Sequence, residues 1–321
     1  MWQCQAGFKI SKESGDTVQQ GIVIEDVSAS TDENVQGSQF VWIPVGKFIK
    51  DNGEESNEII LGRYTFTNDA QGTPTLQQAA YTDEQPENYK EEKVIANYYN
   101  EYSGTHREGI ASSGLDGINA TAYNLEEWVG SVKTNGGYYI GRYEASYASG
   151  TQIENYKAAT KVSKGFRTEE DGSMEYTQGT LWNYITQLEA SKVAINTYKE
   201  SNYVKSDLIN SYAWDTAIVY IQECGHINYA NKKAIDINNE LTNTGTKQDE
   251  VCKINDMASN MAELSTEYSS NSNDTTAYHC SNRGGFYYSD TACTARRYSG
   301  TSIYSDWGLG FRLCLYLEHV N

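Results

Sequence analysis

A chain of 321 residues, 38% hydrophobic and with a formal net charge of -18, is long enough for one large core or two modest ones. The acidity argues against a nucleic-acid partner, because phosphate binding draws on clustered lysines and arginines. No apolar run approaches the roughly 18–20 residues that a membrane helix needs. The opening Met1-Trp2-Gln3-Cys4-Gln5 has neither the basic region nor the apolar stretch of a secretion signal, which leaves a cytosolic chain or one whose native N-terminus has been removed.

In chain order, Gly21-Ile22-Val23-Ile24-Glu25 and Ser38-Gln39-Phe40-Val41-Trp42-Ile43-Pro44-Val45 are β-branched and aromatic runs closed by polar or turn residues, and predict strands. Residues 51–135 are polar and predict an insertion packed on the core, with helices over 86–101 and 124–134, since they hold too few apolar residues for a core of their own. Residues 136–146 alternate aromatic or apolar with small or polar side chains, the period of a half-buried strand. Leu181, Ile185, Leu188 and Val193 predict an amphipathic helix over 180–197. A second helix starts at Ser211 as N-cap and runs through Ile221. Residues 228–249 are polar and predict a loop.

The chemistry-bearing residues are sparse. Six cysteines (4, 224, 252, 280, 293 and 314) show no C-x-x-C pairing, which disfavours a zinc ribbon or thioredoxin motif, and the histidines at 106, 226, 279 and 319 are scattered. No G-x-S-x-G, H-E-x-x-H or P-loop is present. Adjacent acids such as Glu25/Asp26 and Glu169/Glu170 read as solvated surface.

The C-terminal part is the most informative. It carries Ile254-Asn255-Asp256-Met257-Ala258-Ser259-Asn260-Met261-Ala262-Glu263-Leu264-Ser265-Thr266-Glu267, then Arg283-Gly284-Gly285-Phe286, then Ala295-Arg296-Arg297, then Gly310-Phe311-Arg312. That succession resembles the formylglycine-generating enzymes, or sulfatase-modifying factors, with their D-x-x-G-N-x-x-E-W-T, R-G-G-S, A-x-R and G-F-R tags in the same order. Residues 38–48 resemble the family's F-V-W-I-P-G-G-x-F opening strand, 136–146 its F-Y-I-x-R-Y-E-V-T segment, and 206–215 its R-L-P-T-E-A-E-W-E element, with Trp214 in the place of a core tryptophan. The resemblance covers most of residues 7–317 in pieces and leaves 51–135 unmatched. It implies an α+β, C-type-lectin-like single domain over 1–321, with little regular secondary structure. Arg283, Gly284, Gly285, Gly310, Phe311 and Arg312 are then frame residues.

Over the 50 residues 268–317 there is no Lys, Glu, Gln or Met. Taken as composition alone this fits a serine-rich loop leading to the last strands. It also resembles the variable region of proteins diversified by retroelements, where randomised adenines in AAC or AAT codons yield Tyr, Ser, Asp, Asn, Gly, Thr, Cys and Arg but never Lys, Glu, Gln, Met or Trp. Trp307 would then be fixed. Tyr with Ser and Gly is also the composition of antibody-like binding loops. The candidate ligand-binding residues are Tyr278, His279, Phe286, Tyr287, Tyr288, Ser289, Asp290, Thr301, Ser302, Ile303 and Tyr304, with Tyr287, Tyr288 and Tyr304 as leading anchors.

The resemblance also implies a Ca²⁺ turn, whose matching positions are Asp256, the carbonyls of Ser259 and Met261, and Glu263. Ser259 stands where the family has Gly, and Ala262-Glu263-Leu264 where it has W-E-W. The family's enzymes oxidise a substrate cysteine with two copper-bound thiolates just beyond R-G-G, and here only Cys293 follows Gly285. The expectation is therefore a non-catalytic protein, needing no cofactor, that binds a protein or glycan on a cell or host surface and resides on a cell surface or phage particle. The alternatives are a cysteine oxidase, which needs a thiol pair assembled in space, and a structural subunit without ligand, which needs the C-terminal tyrosines buried.

Overall fold

The computed structural model describes residues 4–80, 95–96, 102–104, 125–167, 176–234, 240–246, 249–270, 279–301 and 304–317. In chain order these form β1 (Phe8–Ile10), β2 (Val23–Asp26), β3 (Gln39–Pro44), β4 (Gly62–Phe66), β5 (Pro74–Ala79), β6 (Ile95–Ala96) and β7 (Tyr102–Gly104). Then come α1 (Leu125–Asn135), β8 (Gly137–Gly141), β9 (Ser146–Ser149), β10 (Lys157–Ala159), α2 (Gln187–Thr197), β11 (Val204–Leu208) and α3 (Ser211–Glu223). The C-terminal part supplies β12 (Glu250–Val251), β13 (Ile254–Asn255), β14 (Ala262–Ser270), β15 (His279–Arg283), β16 (Arg297–Thr301), β17 (Leu309–Phe311) and β18 (Leu313–Leu317). The architecture is α+β, and among the described residues no helix is long and apolar enough to cross a membrane.

One sheet runs β1-β2-β3-β8-β18-β11, every neighbour antiparallel, so the first and last strands of the chain share it. Its central strands are apolar on both faces. Val41, Ile43, Tyr138 and Ile140 point to a cluster with Trp128 and Val129 of α1 and Trp214 and Ile218 of α3. Phe40, Trp42, Tyr139 and Leu315 point to another with Ala190, Val193 and Ala194 of α2 and with Trp182. Period two sorts the side chains between two cores rather than between core and water. The expectation of a half-buried strand over 136–146 fails for this reason, and β8 is buried along its whole length.

Two helix starts were set by side-chain caps. α2 begins at Gln187, seven residues after the sequence-based start. Thr186 and Glu189 form a reciprocal capping box, and Tyr184 just upstream sits at φ +52°. α3 is capped by Asn210, whose side chain accepts the Ala213 amide at 2.9 Å, one residue before the expected Ser211. Within 51–135, Ile59, Leu61, Tyr64, Leu125, Trp128 and Val132 are buried in the first of these clusters. The helix expected over 124–134 is α1. Of the helix expected over 86–101 only Ile95–Ala96 are described, and they pair as a strand with β7.

The second sheet runs β16-β15-β14-β7-β6, with β17 parallel to β14. Beneath it lies a buried ionic network. Arg283 donates to Asp215 at 2.6 Å and to Glu267 at 2.8 Å, while Arg297 donates to Glu267 at 2.7 Å and also to Asp215. Arg63 reaches Glu267 at 3.3 Å. None of these side chains is more than 2% exposed. A separate pair joins Arg312 to Glu263 at 2.6 Å, with Arg312 also donating to the carbonyls of Gly141 and Asn255. Gly285 packs on this frame so closely that a Cβ would lie 1.7 Å from the Ala258 carbonyl oxygen.

Buried carboxylates stripped of a partner are costly to keep charged. Arg283→Met is therefore expected to lower the unfolding free energy by roughly 3–5 kcal/mol, read from the denaturant midpoint. A loss below about 1 kcal/mol would contradict the role given to the network.

Candidate functional site

The register of β15 and β16 decides what faces outward. Arg283 opposes Arg297 and both turn in toward the carboxylates, so the next pair, Asn282 opposite Tyr298, lies on the other face. That face opens into a cleft of about 720 Å³. Two loops complete its walls. The first carries Phe286, Tyr288, Ser289 and Asp290, and is closed by Ser289, whose hydroxyl accepts the Ala292 amide at 3.0 Å. The second carries Tyr304, whose hydroxyl donates to Asp306 at 2.9 Å, while Asp306 also accepts the Gly308 amide at 2.9 Å. Every lining residue except Ala262 falls within 268–317.

The exposed rings are Tyr288, Tyr298 and Tyr304, at 56%, 48% and 52% of their surface. Tyr288 stacks on Trp307 with ring centres 6.2 Å apart and sits 4.1 Å from Phe286. The Arg296 guanidinium covers the Tyr298 ring at 4.5 Å, a cation over an aromatic face. Burial, then the nearby Asp306, raises the Tyr288 phenol above its ordinary range.

Of the residues expected at the site, Phe286, Tyr288, Ser289, Asp290 and Tyr304 come together in the cleft. His279 and Thr301 pair across β15 and β16, their side chains lying outside what the structure describes. Tyr278, Ser302 and Ile303 lie outside the described residues altogether. Tyr287 corrects the expectation. It is buried with Leu181, Leu241 and Met261 and packs its ring edge-on against Trp307, so it supports the display instead of joining it. Arg296 and Tyr298, missed in the sequence, line the cleft.

Tyr287→Ala is accordingly expected to cost about 3 kcal/mol of stability, as core aromatic truncations do. Tyr288→Ala should stay within about 1 kcal/mol. Equal melting temperatures for the two variants would contradict this division of roles.

The turn that resembles a Ca²⁺ site is braced by side chains of the chain itself. Both oxygens of Glu263 accept from Arg312, at 2.6 and 3.0 Å, so this carboxylate is not available to a cation. Asp256, at φ +67°, accepts the Thr244 hydroxyl at 2.7 Å and the Gly245 amide at 2.8 Å. Two acids that sequence reasoning missed brace the same turn. Asp249 accepts the Ala258 amide at 2.9 Å and the Ser259 hydroxyl at 3.1 Å, and Glu144 accepts the Met261 amide at 3.0 Å. Of the four expected ligand residues, Glu263 is thus paired with Arg312, while Asp256, the Ser259 hydroxyl and the Met261 amide belong to one hydrogen-bonded brace. Among the described residues, no group of three or more His, Cys, Asp or Glu is arranged to hold a metal ion.

Crowding of acids around one arginine has a consequence for stability. Burial, then Asp256, pushes the Asp249 carboxyl up to about 7, and burial, then Asp256 and Glu263, holds Glu144 well above the carboxylate range. An acid raised in the folded state contributes stability at low pH that is lost as pH rises through its folded value. Wild type should therefore lose stability relative to Asp249→Asn between about pH 5 and about pH 8 in parallel thermal melts. A gap that stays constant over that window would contradict the assignment.

Cys293 is fully buried, and burial raises its thiol. Among the described residues, Cys224 and Cys252 lie together in a second pocket that shares no lining residue with the aromatic cleft.

No family model matches the chain, and neither does any curated protein sequence. Among solved structures it is similar to CarF, with 14% identity, a TM-score of 0.42 and coverage of 57% of this chain and 87% of that one. It is also similar to Treponema denticola variable protein 1, with 11% identity, a TM-score of 0.32 and coverage of 87% and 96% respectively.

Proposed function

We propose that the chain is a non-catalytic ligand-binding protein of C-type-lectin-like fold, displaying a retroelement-diversified surface over residues 268–317. Its partner is a protein or glycan on a cell or host surface, and its setting a cell surface or phage particle. One observation carries this. A cleft with three half-exposed tyrosines is lined, apart from Ala262, by the segment that lacks Lys, Glu, Gln and Met. Tyr and Arg supply most of the energy at recognition surfaces, while small polar residues adapt around them. The exposed rings also speak against a structural subunit without ligand.

The oxidase alternative calls for a copper-binding thiol pair assembled in space, which the family's enzymes carry just beyond the R-G-G tag. Cys293 is sealed in the core there, and the pair that forms elsewhere involves other elements. Hydrogen bonds of the chain itself brace the turn that resembles a Ca²⁺ site, which supports a display without a required cofactor.

Screening against a glycan array and a panel of cell-surface proteins tests the proposal. Tyr288→Ala and Tyr304→Ala should each weaken the selected interaction by about 1–3 kcal/mol without lowering the melting temperature. Binding that survives both substitutions, or formylglycine appearing in a sulfatase-type peptide at a rate that Cys293→Ser abolishes, would overturn it. At the gene level the expected finding is a second copy of the codons for 268–317, differing only at adenines, beside a reverse transcriptase.

A further inference from the structure

The second pocket, of about 490 Å³, is lined by Cys224, His226 and Cys252 together with polar side chains of 14–20 and Asp51. Its parts come from distant stretches. Cys224 is the C-cap of α3, and His226 follows two residues later on the exposed surface. Cys252 is the first of the two residues that turn β12 into β13, where Glu250 pairs with Asn255 and Val251 with Ile254.

That turn is unusual in its residue types. Cys252 and Lys253 both have positive φ, at +47° and +65°, the two-residue hairpin geometry that strongly favours Asn-Gly or Gly-Gly. A cysteine gains nothing from this backbone, and a side chain held in a sparsely populated region is a pointer to function. Close packing keeps the turn in place, since a Cβ on Gly21 would lie 2.2 Å from the Cys252 carbonyl oxygen. On the other side, the Gln19 amide donates to the Cys224 carbonyl at 3.3 Å.

The three side chains line the same pocket, and Cys252 neighbours both the Cys224 thiol and the His226 ring. The hydrogen bond from Cys224, then that from His226, holds the Cys252 thiol below its ordinary range against the effect of burial. The same bond, with burial, raises Cys224, and the bond to Cys252 raises His226. Of the two sulfurs, Cys252 is the one on the positive-φ turn and beside the His226 ring, which marks it as the nucleophile and Cys224 as its partner thiol. Both residues line the pocket yet are only 7% and 8% exposed, which admits small reagents and excludes large ones.

We propose that Cys252, with His226 as its base and Cys224 as resolving thiol, is a site of oxidation by small hydroperoxides that closes to a Cys224–Cys252 disulfide. With hydrogen peroxide, the Cys252 thiolate attacks one peroxide oxygen. An S–O bond forms as the O–O bond breaks, and the departing hydroxide takes the proton held by His226 and leaves as water. Cys224 then gives up its proton and attacks the sulfenic sulfur; the S–S bond forms, the S–O bond breaks and a second water leaves. Two thiols lose two electrons and two protons, and one peroxide becomes two waters.

The full chain, treated with stoichiometric hydrogen peroxide, alkylated after denaturation and mapped by mass spectrometry, tests this. The first product expected is the peptide pair linked through Cys224 and Cys252, with the buried Cys293 and Cys314 still alkylated. Cys224→Ala should stop at a Cys252 sulfenic acid that a cyclic diketone traps. His226→Asn, a surface change, should slow oxidation of Cys252 about tenfold by reducing its thiolate fraction. If Cys224→Ala fails to fold, the order of oxidation in wild type still decides. Cys252 reacting no faster than the exposed Cys4 would overturn the proposal, and so would Cu(I) bound tightly by the reduced pair, which would make the pocket a metal site instead.

Discussion

Two carboxylates and three guanidinium groups, all withdrawn from water, tie together parts of the chain that lie far apart in sequence: Arg63 on β4, Asp215 on α3, Glu267 on β14, Arg283 on β15 and Arg297 on β16. Each ion alone is expensive to bury, so the arrangement holds only when all are in place. Fork-shaped donors suit this task. Arg283 and Arg297 each span both acids, which lysine's single ammonium does not match. The frame is also specific about register, because a one-residue slip of β15 or β16 would swing an arginine out of the acids and a cleft residue in.

The same alternation separates what must be kept from what is free to change. Along β16, Arg297 is locked inward while its neighbour Tyr298 lines the cleft. Along the loop after Gly285, Tyr287 is buried against Met261 while Tyr288 is exposed. Backbone contacts hold this loop, since the Gly285 amide donates to the Met257 carbonyl and the Tyr287 amide to the Asn260 carbonyl. Substituting Tyr288 therefore leaves the backbone hydrogen bonds that hold the loop in place, the condition that a diversified surface requires.

Much of the frame was legible in the sequence. Strands β3 and β8 fall inside the β-branched and aromatic runs, β2 ends one residue beyond its run, α1 and α3 lie within a residue or so of their predicted starts, and Arg283, Gly285 and Arg312 pack into the frame. Thr186-Gln187-Leu188-Glu189 carries the capping-box signal that sets the start of α2, and it overrides the apolar spacing that begins at Leu181. Other features have no local signature. Strand β6 exists only by pairing with β7, the burial of Tyr287 depends on Leu181 and Leu241 from distant segments, and Glu144 reaches the brace from far upstream. Cys224 and Cys252 become a pair only when α3 and a short hairpin dock side by side.

The central claim is that one face of a rigid, ion-paired frame tolerates change while the frame itself does not. Two libraries measure it directly, one randomising Tyr288, Asp290, Tyr298 and Tyr304, the other Asp215, Glu267, Arg283 and Arg297, each scored by the fraction of members that stay folded under protease challenge. The account predicts that most members of the first library survive and most of the second are degraded. Similar survival in both, or the reverse order, would contradict it.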